Sequence, residues 1–171
     1  LSALSKAHKA LDKDDPTKHE VVRGVMRGIW RRVGRAQTPA RPLLHQELAV
    51  IVDTGTGLRG ARDRAVLLVG FKAALRRSGL VGLNVEDIGF CEQGVLITVR
   101  RSKTDQEGYG RTIAVPTSKR GPCAVAALRQ WLAASELSTG ALFRSLTGTR
   151  GLGGRLPAAS VTAILRRYAA E

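Results

Sequence analysis

Residues 62–88, RDRAVLLVGFKAALRRSGLVGLNVEDI, decide the fold. From Ala61 to Leu75, Ala65, Leu68, Phe71 and Leu75 recur at helical steps, which makes one stripe for burial and the strongest helical pattern in the chain. The pattern predicts a helix that delivers Arg76 and Arg77 at its C-terminal end. Ser78 can cap a short second helix, GLVGL, leading into Asn84–Ile88.

Downstream the period changes from helix to strand. Ile88–Cys91 reads as a short strand, Glu92–Gly94 as a turn, and Val95–Arg101 as a strand with alternating faces. The loop SKTDQEGYG (102–110) follows, and Arg111–Val115 returns as a third strand before Pro116. Pro122 opens a helix that turns Val125, Leu128, Trp131 and Leu132 inward. Residues 145–157, SLTGTRGLGGRLP, read as a loop rich in Gly and Arg. Val161, Ile164, Leu165 and Tyr168 mark a last amphipathic helix. The expected fold class is mainly α with a small antiparallel three-stranded sheet, α+β.

Upstream, residues 1–12 read as a short helix, and Asp15-Pro16 as a helix start with an acidic cap and proline at the first position. Val21, Val22, Val25, Met26, Ile29 and Val33 share one face of that helix. Arg23, Arg27, Arg31 and Arg35 fall every four residues on another. A row of arginines is ordinarily a solvated face. Like charges at this spacing repel, however, so an anion lying along the ridge explains it better. The run GRAQTPARPL (34–43) lacks an apolar period and contains two prolines, which makes 35–43 a linker between segments 1–34 and 44–171. A further helix is expected from Leu44 to about Asp53, stopped by the Gly-rich run TGTGLRG.

Charge narrows the partners. Twenty-eight Lys and Arg against fourteen Asp and Glu leave a formal net charge of +14, which a compact fold tolerates better beside an anion. Nucleic acid, an acidic protein and an anionic membrane surface are the candidate classes. Arg predominates, which favours forked recognition of phosphate. No stretch approaches the ~20 apolar residues of a membrane span, and no signal-peptide pattern opens the sequence. Cys91 and Cys123 have neither metal-ligand spacing nor a dense disulfide pattern, which points to a reducing cytosol.

The order of these pieces resembles the tyrosine recombinase, or phage integrase, family. The stretch 62–88 is similar to that family's first conserved box, a helix ending in an arginine followed by Ser, an acidic residue and Leu. VLITVRRSKTDQEGYGRTIAVP (95–116) resembles its β-hairpin with a lysine after the second strand, and PCAVAALRQWLAAS (122–135) the helix that follows. Residues 1–34 resemble the closing helices of its DNA-gripping core-binding domain, with 44–171 a partial catalytic domain. The resemblance implies that Arg76 holds the scissile phosphate and that Lys103 gives a proton to the departing 5′ oxygen. Both residue types suit a five-coordinate phosphorus gaining negative charge. Arg23, Arg27, Arg31, Arg35, Arg77, Arg100, Arg101 and Arg111 are the further candidate DNA contacts. The implied partner is duplex DNA, met as a homo-oligomer in the cytoplasm or nucleoid, with no membrane, cofactor or metal.

Read without the resemblance, Arg76 is a cation placed well at a helix C-terminus and Lys103 a loop-solubilising charge. Two departures from the family also matter. Gly79 stands where the family has an acid that steadies the arginine. The histidines, His8, His19 and His45, all precede Arg76, so nothing after it can form the family's His-x-x-Arg box. Tyr168 shares an apolar face with Ile164 and Leu165 and reads as a half-buried tyrosine rather than a nucleophile, while Tyr109 reads as exposed or DNA-contacting. The 171 residues are therefore expected to bind DNA better than they cut it. A non-catalytic integrase remnant and an unrelated basic RNA-binding α/β domain remain as alternatives.

Overall fold

The computed structural model describes residues 2–34, 47–49, 55–100, 110–148 and 151–169. The candidates Arg35, Arg101 and Lys103, with Tyr109, lie outside the described residues. The chain divides into two units, Leu1–Pro42 and Leu43–Glu171.

In the first unit, helix α1 (Ser2–Ala10) is followed by a single 3₁₀ turn, Pro16–Lys18, and helix α2 (Glu20–Val33). Asp15 does cap: its Oδ1 accepts from the Thr17 N–H and hydroxyl (3.0 and 2.7 Å), and its Oδ2 from the Ser5 hydroxyl (2.6 Å). The helix it was expected to start stops after one turn, because His19 is extended (φ −63°, ψ 137°) and accepts from the Val21 N–H as a second cap. Helix α2 begins four residues later than the proline predicts. Its apolar face is only partly covered among the described residues: Val22 and Met26 are half-buried, while Val21, Val25, Ile29 and Val33 are exposed.

The second unit is mostly helical around one small antiparallel sheet. Helix α3 (Gly57–Lys72) runs through its centre and is buried nearly all round from Gly60 to Val69. The expected stripe holds at Ala65 and Leu68, but Phe71 is exposed, because the helix leaves the core at its last turn. At residues 47–49, the described part of the preceding helix, Leu48 is fully buried.

Helix α3 ends earlier than its apolar spacing predicts. The Leu75 N–H donates to the Gly70 carbonyl (3.0 Å) and the Ala74 N–H to Phe71 (3.3 Å). This paired closure puts Ala74 in the left-handed region at φ 49°. Glycine ordinarily fills that position, so no glycine marks the stop. Leu75 leads out, and Arg76, at φ −65° and ψ 149°, is the N-cap of the short helix α4 (Arg77–Gly82). Arg76 and Arg77 therefore sit at the start of a helix, and Ser78 lies inside it rather than capping it.

The sheet follows as β1 (Ile88–Cys91), β2 (Gly94–Val99) and β3 (Arg111–Pro116), antiparallel in the order β1-β2-β3. Strand β2 ends two residues short of Arg101. The register pairs Phe90 with Val95 and Val99 with Arg111, which turns Val95, Ile97, Val99 and Val115 into the core. A Cβ at Gly94 would lie 2.2 Å from the Val115 carbonyl oxygen, so only glycine lets the strands close there. Helix α5 (Ala124–Ser135) packs on α3 through Val125, Leu128 and Trp131, whose indole N–H donates to the Leu142 carbonyl (2.8 Å).

Residues 145–157 are not a loop. Strands β4 (Arg144–Thr147) and β5 (Gly151–Arg155) form an antiparallel ribbon pairing Arg144 with Arg155. A Cβ at Gly151 would lie 2.4 Å from Thr147 Oγ1, so glycine here permits close pairing, and having no side chains it hides the alternation. Helix α6 (Ala158–Ala169) completes the unit, with Ile164 buried.

Two outcomes follow from these caps. Ala74→Gly should raise stability by about 1 kcal/mol, or about 2–4 °C in Tm, since it relieves a left-handed alanine. An unchanged Tm would contradict the closure described. Asp15 is held at a pKa of about 2, below its usual 3.8, by the Ser5 and Thr17 hydrogen bonds. Its folded pKa is depressed, so its contribution is present above pH 3.8 and lost as pH falls toward about 2. NMR of the Thr17 amide should show that loss, and Asp15→Asn should abolish the pH dependence.

Candidate nucleic-acid interface

Arg76 is exposed, and although its carbonyl accepts from the Leu80 N–H (2.9 Å), its guanidinium has no hydrogen-bond or ion-pair partner among the described residues. A cation at a helix start opposes the helix dipole, so the favourable C-terminal placement that would explain Arg76 structurally does not apply. Leu75, Arg76, Arg77 and Ser78 on one side and Ala158 and Ala159 on the other line an open cleft of about 720 Å³. Ala158 and Ala159 lie in the first turn of α6, where the Ser160 N–H already donates to the Pro157 carbonyl (2.9 Å).

Arg77 shares the cleft but is partly committed, its Nη1 donating to Thr162 Oγ1 of α6 at 2.8 Å. Arg100, the last described residue before 101–109, donates through Nε to Asp87 Oδ1 (2.6 Å). Asp87 is buried, and its Oδ2 also accepts from the Asn84 N–H (2.8 Å). Arg111 is exposed opposite Val99 at the same end of the sheet, so Arg100 and Arg111 flank one segment. Arg23, Arg27 and Arg31 are exposed on α2 in the first unit, where Arg27 pairs with Glu20 at 2.6 Å. The structure thus brings Arg76 and Arg77 together and Arg100 and Arg111 together. Lys103 and Arg101 fall between the latter two in sequence, outside the described residues.

Sequence reasoning missed the polar hub that holds α6. Asp63 is fully buried on α3. Its Oδ1 accepts from Arg62 Nε and Nη2 (2.8 and 2.6 Å), and its Oδ2 from Arg167 Nη1 (3.0 Å) and the Tyr168 hydroxyl (3.1 Å). A charged residue inside an apolar run was the available signal, since a buried carboxylate demands partners. Tyr168 is half-buried, as its place on the apolar face implies. Burial, then the Asp63 charge, raises its pKa above the usual tyrosine value, the reverse of what activates a nucleophile. Arg155 was also missed, and its three hydrogen bonds all stay within the protein.

Among the described residues, no cluster of His, Cys, Asp and Glu could hold a metal ion, and no helix is long and apolar enough to cross a membrane. The chain is 36% identical over 175 aligned residues to an integrase/recombinase xerD homolog from Selenomonas ruminantium. The match takes in 98% of this chain and 51% of that protein, so the chain spans about half the length of the curated relative it matches. No protein-family model matches the chain.

The hub gives a stability test. Asp63→Asn should cost about 3–5 kcal/mol in denaturant unfolding, because it strands a buried guanidinium. Tyr168→Phe, which removes one hydrogen bond, should cost only about 1 kcal/mol. Equal effects of the two changes would contradict a hub centred on the carboxylate.

Proposed function

The chain belongs to the tyrosine recombinase family, and on that premise we propose that it grips duplex DNA by its phosphates, with Arg76 on the phosphate that the complete protein breaks and rejoins. The observation that carries the reading is the exposed Arg76 guanidinium, without an ionic partner among the described residues, lining an open cleft with the start of α6. A guanidinium fork there can take two equatorial phosphate oxygens and stabilise charge as the phosphorus becomes five-coordinate.

In this reading Lys103 supplies the proton to the leaving 5′ oxygen, from the segment flanked by Arg100 and Arg111. The arginines of α2 contact the backbone from a core-binding segment, residues 1–34, joined through 35–43 to a partial catalytic segment, 44–171. The complete protein forms a 3′-phosphotyrosyl intermediate and acts as a homo-oligomer on DNA in the cytoplasm. No histidine follows Arg76, and Tyr168 is committed to Asp63. These 171 residues alone therefore bind without cutting and form no covalent adduct with nicked duplex.

Duplex affinity should fall with salt at a log–log slope of about −0.9 per phosphate contacted. Arg76→Ala should reduce the magnitude of that slope by about 0.9 and leave the circular dichroism spectrum unchanged. A slope near zero for the wild-type chain would refute the reading. Preference for structured RNA over duplex in direct competition would replace it with the RNA-binding alternative.

A further inference from the structure

We infer that Arg155 is a positioning residue for Arg76, acting through α4 without touching DNA. The inference rests on the proposed reading of Arg76 as a phosphate contact.

Helix α4 has six residues, two of them glycines, Gly79 and Gly82. So short a helix is marginal in water, and each interior glycine weakens it further. Its direction fixes where its N-cap, Arg76, points, so that direction must be imposed from outside. At the N-terminal end, Arg77 ties the helix to Thr162. At the C-terminal end, where carbonyls lack partners within a helix, Arg155 closes it. Arg155 Nη1 donates to the Val81 and Leu83 carbonyls (2.8 and 3.0 Å), and its Nη2 to Asn84 Oδ1 (2.6 Å). A guanidinium there also complements the dipole.

The clamp is itself held. Arg155 pairs with Arg144 across the β4–β5 ribbon, and Arg144 Nε donates to the Gly153 carbonyl at 2.7 Å. The same C-terminal end is stitched to the chain before the ribbon by Leu142 N–H to the Leu83 carbonyl (3.0 Å), which it shares with Arg155, and by Val85 N–H to Gly140 (2.8 Å). With three acceptors taken inside the protein, the Arg155 guanidinium is committed although the residue is solvent-facing. A Cβ on Gly79 would meet nothing within 4 Å, so the structure offers no side-chain support from that position. The clamp from the ribbon supplies it instead.

The test is a double-mutant cycle on duplex binding by this chain. Arg155→Met keeps the apolar stem and removes the donors, and Arg155→Lys keeps the charge and guards against a folding failure. Each should weaken binding, Arg155→Met by about tenfold, with the salt slope shallower by about 0.9. The Arg76→Ala, Arg155→Met double variant should bind no more weakly than Arg76→Ala alone. Gly79→Ala, which stiffens α4, should recover part of the Arg155→Met loss and do nothing for Arg76→Ala. Additive losses would mean that Arg155 meets DNA itself, and a lowered Tm with an intact salt slope would mean that it only stabilises. Either result overturns the inference. If Arg76→Ala binds like wild type, the phosphate reading fails and carries the inference down with it. If Arg76→Ala weakens binding while both Arg155 variants do not, the inference alone fails.

Discussion

The buried carboxylate of Asp63 is the constraint on which the second unit depends. An ionised group at zero exposure is tolerable only when its oxygens are fully engaged, and here both are, by donors from Arg62, Arg167 and Tyr168. Two of those donors come from the last turns of α6. Satisfying Asp63 therefore fixes the rotation of α6 against α3, and with it the faces presented by Thr162 and the first turn. Arg77 and the cleft beside Arg76 inherit their geometry from that choice.

The arginines divide by what they touch, which the charge count cannot reveal. Arg62, Arg144 and Arg155 spend donors on Asp63, on Asn84 or on backbone carbonyls and hold elements together. Arg77 and Arg100 are half-committed, each to one side chain. Arg76 and Arg111 are exposed. Part of the positive charge behind the net +14 thus holds the fold together, while many other Lys and Arg among the described residues are exposed.

What the sequence made legible was local. The three strands, α5 and the amphipathic α6 follow from periodicity, and Trp131 and Leu128 face inward as their spacing requires. The end of α3 was misplaced because an alanine does a glycine's work at residue 74. The β4–β5 ribbon was read as a loop because glycines carry no alternation. At the cleft, the pairing of Arg76 with Arg77 was visible from their adjacency. The Asp63 hub and the Arg155 clamp were not, since each joins residues more than seventy positions apart and no spacing rule reaches that far.

The distance along the chain between Asp63 and its partners also sets an order of events during synthesis. Segments emerge from the ribosome N-terminal end first, and contacts between remote positions are slow to form. Helix α3 is made well before Arg167 and Tyr168 exist, so Asp63 must wait for two of its partners, although α5, which packs most extensively on α3, is made earlier. The three-stranded sheet, whose pairings are short-range, can assemble while α3 waits. The Arg77–Thr162 bond likewise needs α6, so the cleft lined by Arg76 and Ala158 has both its sides only after the last helix is made.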